Sequence, residues 1–226
     1  DRDVAKLTHF GDCSGVDFNR AGVPLMEIVS EPDMRSADEA YAYLTALKQI
    51  MQFGGIGDCD MEKGQMRCDV NISIRHRGDE KFGTKIELKN LNSFRAVHRA
   101  ITYEIKRQIV MLEAGDVIHQ ETRGWNDDVG ESYLMRSKEN ANDYRYFPEP
   151  DLMPVVLSDE DIEAIRKTLP ELPEQKRERY VKEYALTDYD AHVITLDRDL
   201  AAYFERAADK SKAPKLVANW VIGDFM

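Results

Sequence analysis

From Met66 to Ile74 the chain alternates without a break. Met66, Cys68, Val70, Ile72 and Ile74 fall on one side of an extended backbone, and Arg67, Asp69, Asn71, Ser73 and Arg75 on the other. A period of two admits a strand and excludes a helix. One apolar face and one charged face call for a sheet covered on a single side. After a polar stretch punctuated by Gly78 and Gly83 the pattern returns over Thr84–Lys89, with Ile86 and Leu88 inward and Lys85, Glu87 and Lys89 outward. The two runs predict an antiparallel hairpin. Its polar surface gathers Arg67, Asp69, Asn71, Lys85, Glu87 and Lys89 within side-chain reach.

The flanking sequence supplies cover for the apolar face. Ser36-Ala-Asp-Glu39 reads as a capping box opening a helix with Ala40, Leu44, Leu47 and Met51 in one stripe, stopped by Gly54-Gly55. Ser93 caps a longer helix with Val97, Ile101, Ile105, Ile109 and Leu112 on its core side, ending at Gly115. Two more strands, Ile118–Arg123 and Tyr133–Ser137, are expected around a Gly124–Gly130 loop. Residues 1–35 read as irregular, except that Val23–Ser30 forms a short strand carrying Glu27. Asp143–Asp151 is aromatic, charged and proline-stiffened, and fits neither period.

Past Pro154 the character changes: Ser158-Asp-Glu-Asp161 caps a helix, Pro170 and Pro173 separate short segments, and the remainder is helical. The expectation is an α+β fold, with an antiparallel-sheet domain over 1–155 followed by an all-α domain over 156–226.

Several function classes fall away on composition and motif. No apolar run approaches the length of a membrane span, so no membrane partner is expected. Cys13, Cys59 and Cys68 are odd in number and lack C-x-x-C spacing, which fits small buried hydrophobes in a reducing compartment better than a disulfide framework or a zinc site. No P-loop, G-x-G-x-x-G, H-E-x-x-H or G-x-S-x-G string is present, no serine-lysine amidase signature is visible, and the five histidines are scattered. The net charge of −11 argues against a phosphate-led grip on nucleic acid, and DNA is not an expected partner. Any tRNA would have to be attracted by local basic patches, with Lys176–Arg179 and Lys210–Lys215 as candidates, or by a partner subunit.

The polar hairpin face admits two readings. Two carboxylates on stiff strands can hold Mg²⁺ through oxygen, and flanking Arg and Lys can neutralise phosphate oxygens. Any half-exposed hairpin, however, alternates apolar and charged residues, so a merely solvated ladder gives the same pattern. Asn90 and Asn92, leading into the helix capped by Ser93, add amides and a positive dipole end suited to phosphate, and are equally ordinary turn residues.

Longer strings discriminate where the pattern does not. Val16-Asp-Phe-Asn-Arg-Ala-Gly-Val-Pro-Leu-Met-Glu-Ile28, Ser30-Glu-Pro-Asp33, Met66-Arg-Cys-Asp-Val-Asn71, Glu87-Leu-Lys-Asn-Leu-Asn-Ser-Phe94, Gln120-Glu-Thr-Arg123 and Asp143-Tyr-Arg-Tyr-Phe-Pro-Glu-Pro-Asp151 closely resemble, in order, blocks of the B-subunit family of the glutamyl-/aspartyl-tRNA amidotransferases. Leu169-Pro-Glu-Leu-Pro173 and Asp188-Tyr-Asp-Ala-His192 resemble its helical domain.

The resemblance implies a cytoplasmic carbon–nitrogen ligase subunit working in a heterotrimer with an amidase A subunit and a small C subunit. It implies ATP- and Mg²⁺-dependent phosphorylation of the side-chain carboxylate on misacylated tRNA, Glu-tRNA(Gln) or Asp-tRNA(Asn), with ammonia from the A subunit displacing phosphate. Carried over by position, Asp69 and Glu87 become the expected metal ligands, and with Lys89 the expected catalytic groups. Arg67, Asn71 and Asn90 become contacts to ATP or acyl phosphate, and Glu27 a further carboxylate near the metal. The family's N-terminal segment and C-terminal tail domain are not in this sequence, which begins at Asp1 rather than Met. The expectation is therefore a piece that is inactive alone. The other function class is a docking scaffold for tRNA or the amidase subunit, needing no nucleotide.

Overall fold

The computed structural model describes residues 6–19, 23, 25–137 and 153–225. The chain divides into two compact units, 1–34 and 35–226. The change from mixed to all-α structure that the sequence puts near residue 155 lies within the second unit, and Asp143–Asp151 falls outside the described residues.

In the first unit a hairpin stands where the sequence reads as irregular. Strands β1 (Lys6–Phe10) and β2 (Cys13–Asp17) pair antiparallel with Phe10 opposite Cys13, leaving Gly11-Asp12 as a two-residue loop. Gly11 has φ +54°, the positive value such tight loops require. The expected strand at Val23–Ser30 is not formed among its described residues, since no neighbour offers it a ladder. Leu25, Met26 and Val29 are left exposed.

The second unit is built on a four-stranded sheet, β3 (Cys68–Ile72), β4 (Ile86–Leu91), β5 (Glu121–Asn126) and β6 (Glu131–Ser137), in that spatial order. The alternation forecast is met in β3 and β4: Ile86 and Leu88 are fully buried, while Asp69 and Asn71 face out. The sheet is mixed rather than wholly antiparallel, because β4 and β5 run parallel. Their connection is the 20-residue helix α2 (Phe94–Glu113), a crossover of the length a parallel pair needs. Gly124, expected in a loop, sits inside β5. A Cβ there would lie 2.4 Å from the Tyr133 ring, so only glycine lets that ring lie across the strand.

Helix α1 (Ala37–Phe53) buries Ala37, Ala40, Leu44 and Phe53 and packs against α2. Ser36 Oγ accepts from Glu39 N at 3.1 Å, but the Glu39 carboxylate accepts from Arg35 N at 2.5 Å, one residue short of a reciprocal box. His98 Nε2 and Asp38 Oδ1, 2.7 Å apart, tie the two helices. The buried stripe of α2 is rotated from the forecast. Ala96, Val97, Ala100, Ile101, Glu104 and Gln108 face the core, whereas Ile109 and Leu112 are exposed.

The remaining helices, α3 (Asp159–Thr168), α4 (Pro173–Glu183), α5 (Asp188–Ile194), α6 (Arg198–Ser211) and α7 (Pro214–Trp220), followed by a π-helical turn over Val221–Phe225, bear out the all-α reading. The Ser158–Asp161 capping box is present. Tyr180, Ile194, Phe204 and Val221 form their core, with the Tyr180 and Phe204 rings 5.1 Å apart, and Phe53 of α1 joins it. Helix α3 buries no residue.

Candidate functional site

Leu88 and Leu91 are both buried although three positions separate them, which strict alternation forbids. The sheet resolves this with a β-bulge. Leu88 pairs with Val70 and Leu91 with Cys68, so Lys89 and Asn90 together oppose Asp69. Asn90 takes up the extra residue at φ +62°, a left-handed conformation that asparagine tolerates better than most side chains.

The bulge determines where Lys89 goes. Its Nζ donates to Asp69 Oδ2 at 2.6 Å and lies 3.1 Å from Glu87 Oε1, so one ammonium bridges two carboxylates. Partial burial pulls Lys89 toward neutrality, but the two carboxylates outweigh this and hold its pKa above the ordinary lysine value. Arg67 Nε stands 3.9 Å from Asp69 Oδ1, on the outer edge. Asn71 pairs directly opposite Glu87. Thr122 of β5, in register with Glu87 on the other side, donates its hydroxyl to Glu87 Oε2 at 2.8 Å.

Beside this row, Asn90 Nδ2 donates to Tyr133 Oη at 2.8 Å. Asn90, Asn92, Trp125, Asn126, Asp127, Asp128 and Tyr133 line an open concavity of about 440 Å³. Asp127 is already committed, accepting from Arg99 Nη1 at 2.8 Å and from Trp125 Nε1 at 2.9 Å.

Of the residues singled out in the sequence, Arg67, Asp69, Asn71, Glu87, Lys89 and Asn90 are thus brought to one surface. Glu27 belongs to the first unit, on an irregular exposed stretch. Sequence reasoning missed Thr122 and Tyr133 as neighbours of the site. The spacing of Leu88 and Leu91 was the readable sign of the bulge. The cysteines carry no comparable chemistry. Burial, with Asp69 beside it, pushes the Cys68 thiol up to about 11, and Cys13 is exposed rather than buried as expected.

The donor set suits a hard divalent cation. It is all oxygen, it already holds one cation between two carboxylates, and those side chains keep 27% (Asp69) and 17% (Glu87) of their exposure. Among the described residues no three His, Cys, Asp or Glu side chains gather as a ready-made metal cage. Mg²⁺ does not need one, since it is commonly held by one or two carboxylates, with water and substrate phosphate completing its octahedron.

Residues 1–163 match the GatB/GatE catalytic domain. The chain belongs to this family. It is 57% identical over 227 residues to the B subunit of the aspartyl/glutamyl-tRNA(Asn/Gln) amidotransferase of Persephonella marina, covering 100% of itself and 48% of that relative. Against the corresponding B subunits of Thermoanaerobacter sp. and Carboxydothermus hydrogenoformans it is 55% and 54% identical, again over its whole length and 48% of theirs. The chain therefore spans about half the length of the curated relatives it matches. No helix among its described residues is long and apolar enough to cross a membrane.

Proposed function

We propose that this chain carries the carboxylate-activating site of a tRNA-dependent amidotransferase. In this reading the γ-phosphoryl group of ATP passes to the side-chain carboxylate of Glu-tRNA(Gln) or Asp-tRNA(Asn), giving an acyl phosphate and ADP. Ammonia then attacks the acyl carbon and phosphate leaves, giving the amide. The ammonia comes from a partner amidase A subunit, with a small C subunit completing a cytoplasmic heterotrimer.

The observation that carries the reading is the Asp69–Lys89–Glu87 bridge at the bulge of β4. Bulges beside active sites re-aim side chains in this way. Asp69 and Glu87 would hold Mg²⁺, which when bound neutralises phosphate charge and orients the transferred group. Lys89, released from one or both carboxylates as ligands enter, and Arg67 neutralise charge on the phosphoryl oxygens. Asn71 and Asn90 offer amides to the phosphate or acyl oxygens. The lysine supports this reading because it already stands as a cation between the two carboxylates.

The test uses the full-length subunit assembled with its A and C partners, comparing wild type with Asp69→Asn and Glu87→Gln. Both variants are expected to lose ATP hydrolysis dependent on misacylated tRNA while keeping glutaminase activity. Normal tRNA-dependent ATPase in both would reduce the face to a solvated ladder and leave the docking-scaffold reading.

A further inference from the structure

We propose that Thr122 is a positioning residue for Glu87, and that the strand carrying it is locked in register for that purpose by the buried ion network on the opposite face of the sheet. The inference rests on the reading of Glu87 as a metal ligand given above.

Three observations converge on Thr122. Its side chain sits in direct register with Glu87 across the parallel β4–β5 pair, and its hydroxyl donates to Glu87 Oε2 at 2.8 Å. The residue is only 1% exposed, so water has no route to take over that donor. A β-branched side chain in a strand has a restricted χ1, so the hydroxyl is held in place rather than found by sampling. The consequence is that the two oxygens of Glu87 differ: Oε2 is held by a neutral buried donor, and Oε1 lies beside the Lys89 ammonium. A carboxylate held by one oxygen presents the other in a fixed direction, as outer partners do for metal ligands.

The lock is Arg123, next in sequence and therefore on the other face. It donates through Nε to Ser132 Oγ at 2.8 Å, through Nη2 to Ser132 O at 2.9 Å and through Nη1 to Glu121 Oε2 at 2.9 Å, and its Nε lies 4.0 Å from the fully buried Glu104 carboxylate. A one-residue slip of β5 would turn Thr122 away from Glu87 and drive Arg123 onto the polar face. The network opposes that slip, because Arg123 would give up its bonds to Ser132 and its place beside the buried Glu104 carboxylate.

The experiment measures Mn²⁺ binding by its EPR signal in the full-length subunit assembled with its partners, without nucleotide. Thr122→Val keeps shape and removes the hydroxyl, while Thr122→Ser keeps the hydroxyl. The signal lost in Glu87→Gln reports the Glu87 site. Thr122→Val is expected to weaken that site by about 10- to 100-fold, the range seen when an outer partner of a metal ligand is removed. Thr122→Ser should recover most of the loss, and the Mg²⁺ requirement of the tRNA-dependent ATPase should shift in parallel.

Unchanged Mn²⁺ affinity in Thr122→Val, with a clear loss in Glu87→Gln, would overturn the positioning role and leave the metal reading intact. No loss in Glu87→Gln would instead remove the metal reading on which the inference stands. If Thr122→Val unfolds, Thr122→Ala, which removes the hydroxyl without the valine's second methyl, decides: a loss of Mn²⁺ binding that Thr122→Ser does not show supports the role, and unchanged binding refutes it.

Discussion

On one face of the four-stranded sheet Lys89 bridges Asp69 and Glu87; on the other, Arg107 and Arg123 converge on Glu104. Both clusters join carboxylates to basic side chains, and β5 contributes to both, through Thr122 to one and Arg123 to the other. They differ in what is left over. Glu104 is fully buried and accepts from Arg107 Nε at 2.9 Å, Arg107 Nη2 at 2.7 Å, Gln108 Nε2 at 3.0 Å and Ser132 Oγ at 3.4 Å. Its oxygens have no room for a ligand. Asp69 and Glu87 keep part of their surface in solvent and share one flexible ammonium that can move away. The same residue types thus make a structural lock where they are sealed and saturated, and a candidate site where coordination capacity remains.

The contrast breaks most directly at Glu104. Glu104→Ala leaves the half-buried Arg107 and Arg123 without their common partner and is expected to cost about 3–5 kcal/mol in denaturant unfolding. Asp69→Asn, at a partly exposed pair, should cost about 1 kcal/mol or less. Equal losses would show that the open face is as structural as the sealed one.

Gly124→Ala sharpens the description of the open face. The added methyl would meet the Tyr133 ring at 2.4 Å and displace it from Asn90, with an expected cost of about 1–3 kcal/mol for overpacking. If unfolding is unchanged, Tyr133 is free to swing and does not help shape the concavity beside Asn90.

The smallest effect belongs to a third cluster, among the helices, where Arg179 and Lys176 pair with Glu171 and Glu205. Hydrogen bonding from Arg179 holds the Glu171 carboxyl below its ordinary value of 4.5. Burial alone would raise Glu205, but bonds from Lys176 and Arg179 reverse the sign and lower it. A depressed folded-state pKa gives stability that is fully present above about 4.5 and lost as pH falls through the lower folded value. Glu171→Gln should therefore flatten the acid limb of the stability profile. Near neutral pH it should cost only about 0.2–1 kcal/mol, as a partly exposed pair does.

Much of this architecture was legible beforehand. Alternation over Met66–Ile74 announced the inward Val70 and Ile72 and the outward Asp69 and Asn71, and Ser93 and Ser158 marked helix starts that the structure keeps. The failures share one cause. Glu104 and Gln108 are buried on α2 yet stand outside the apolar stripe read from the sequence, because a polar residue joins a core only where partners await it. Arg123 and Ser132, which meet Glu104 across the core, are distant in sequence, and Gln108 is held in turn by Glu104. Ile109 and Leu112 were placed inward by that stripe and are exposed. Gly124 read as a loop residue because nothing local announces that a ring from β6 must lie over it.

By itself the sequence determined the α+β class, the covered hairpin and its polar face, the switch to helices, and the family, since these depend on periodicity and on contiguous strings. Tertiary structure alone decided that β4 and β5 run parallel, that a bulge carries Lys89 between Asp69 and Glu87, and that Thr122 reaches Glu87. Those outcomes depend on which strands become neighbours and in what register. That choice is set by the long-range burial of α2 against the sheet, and local spacing does not encode it.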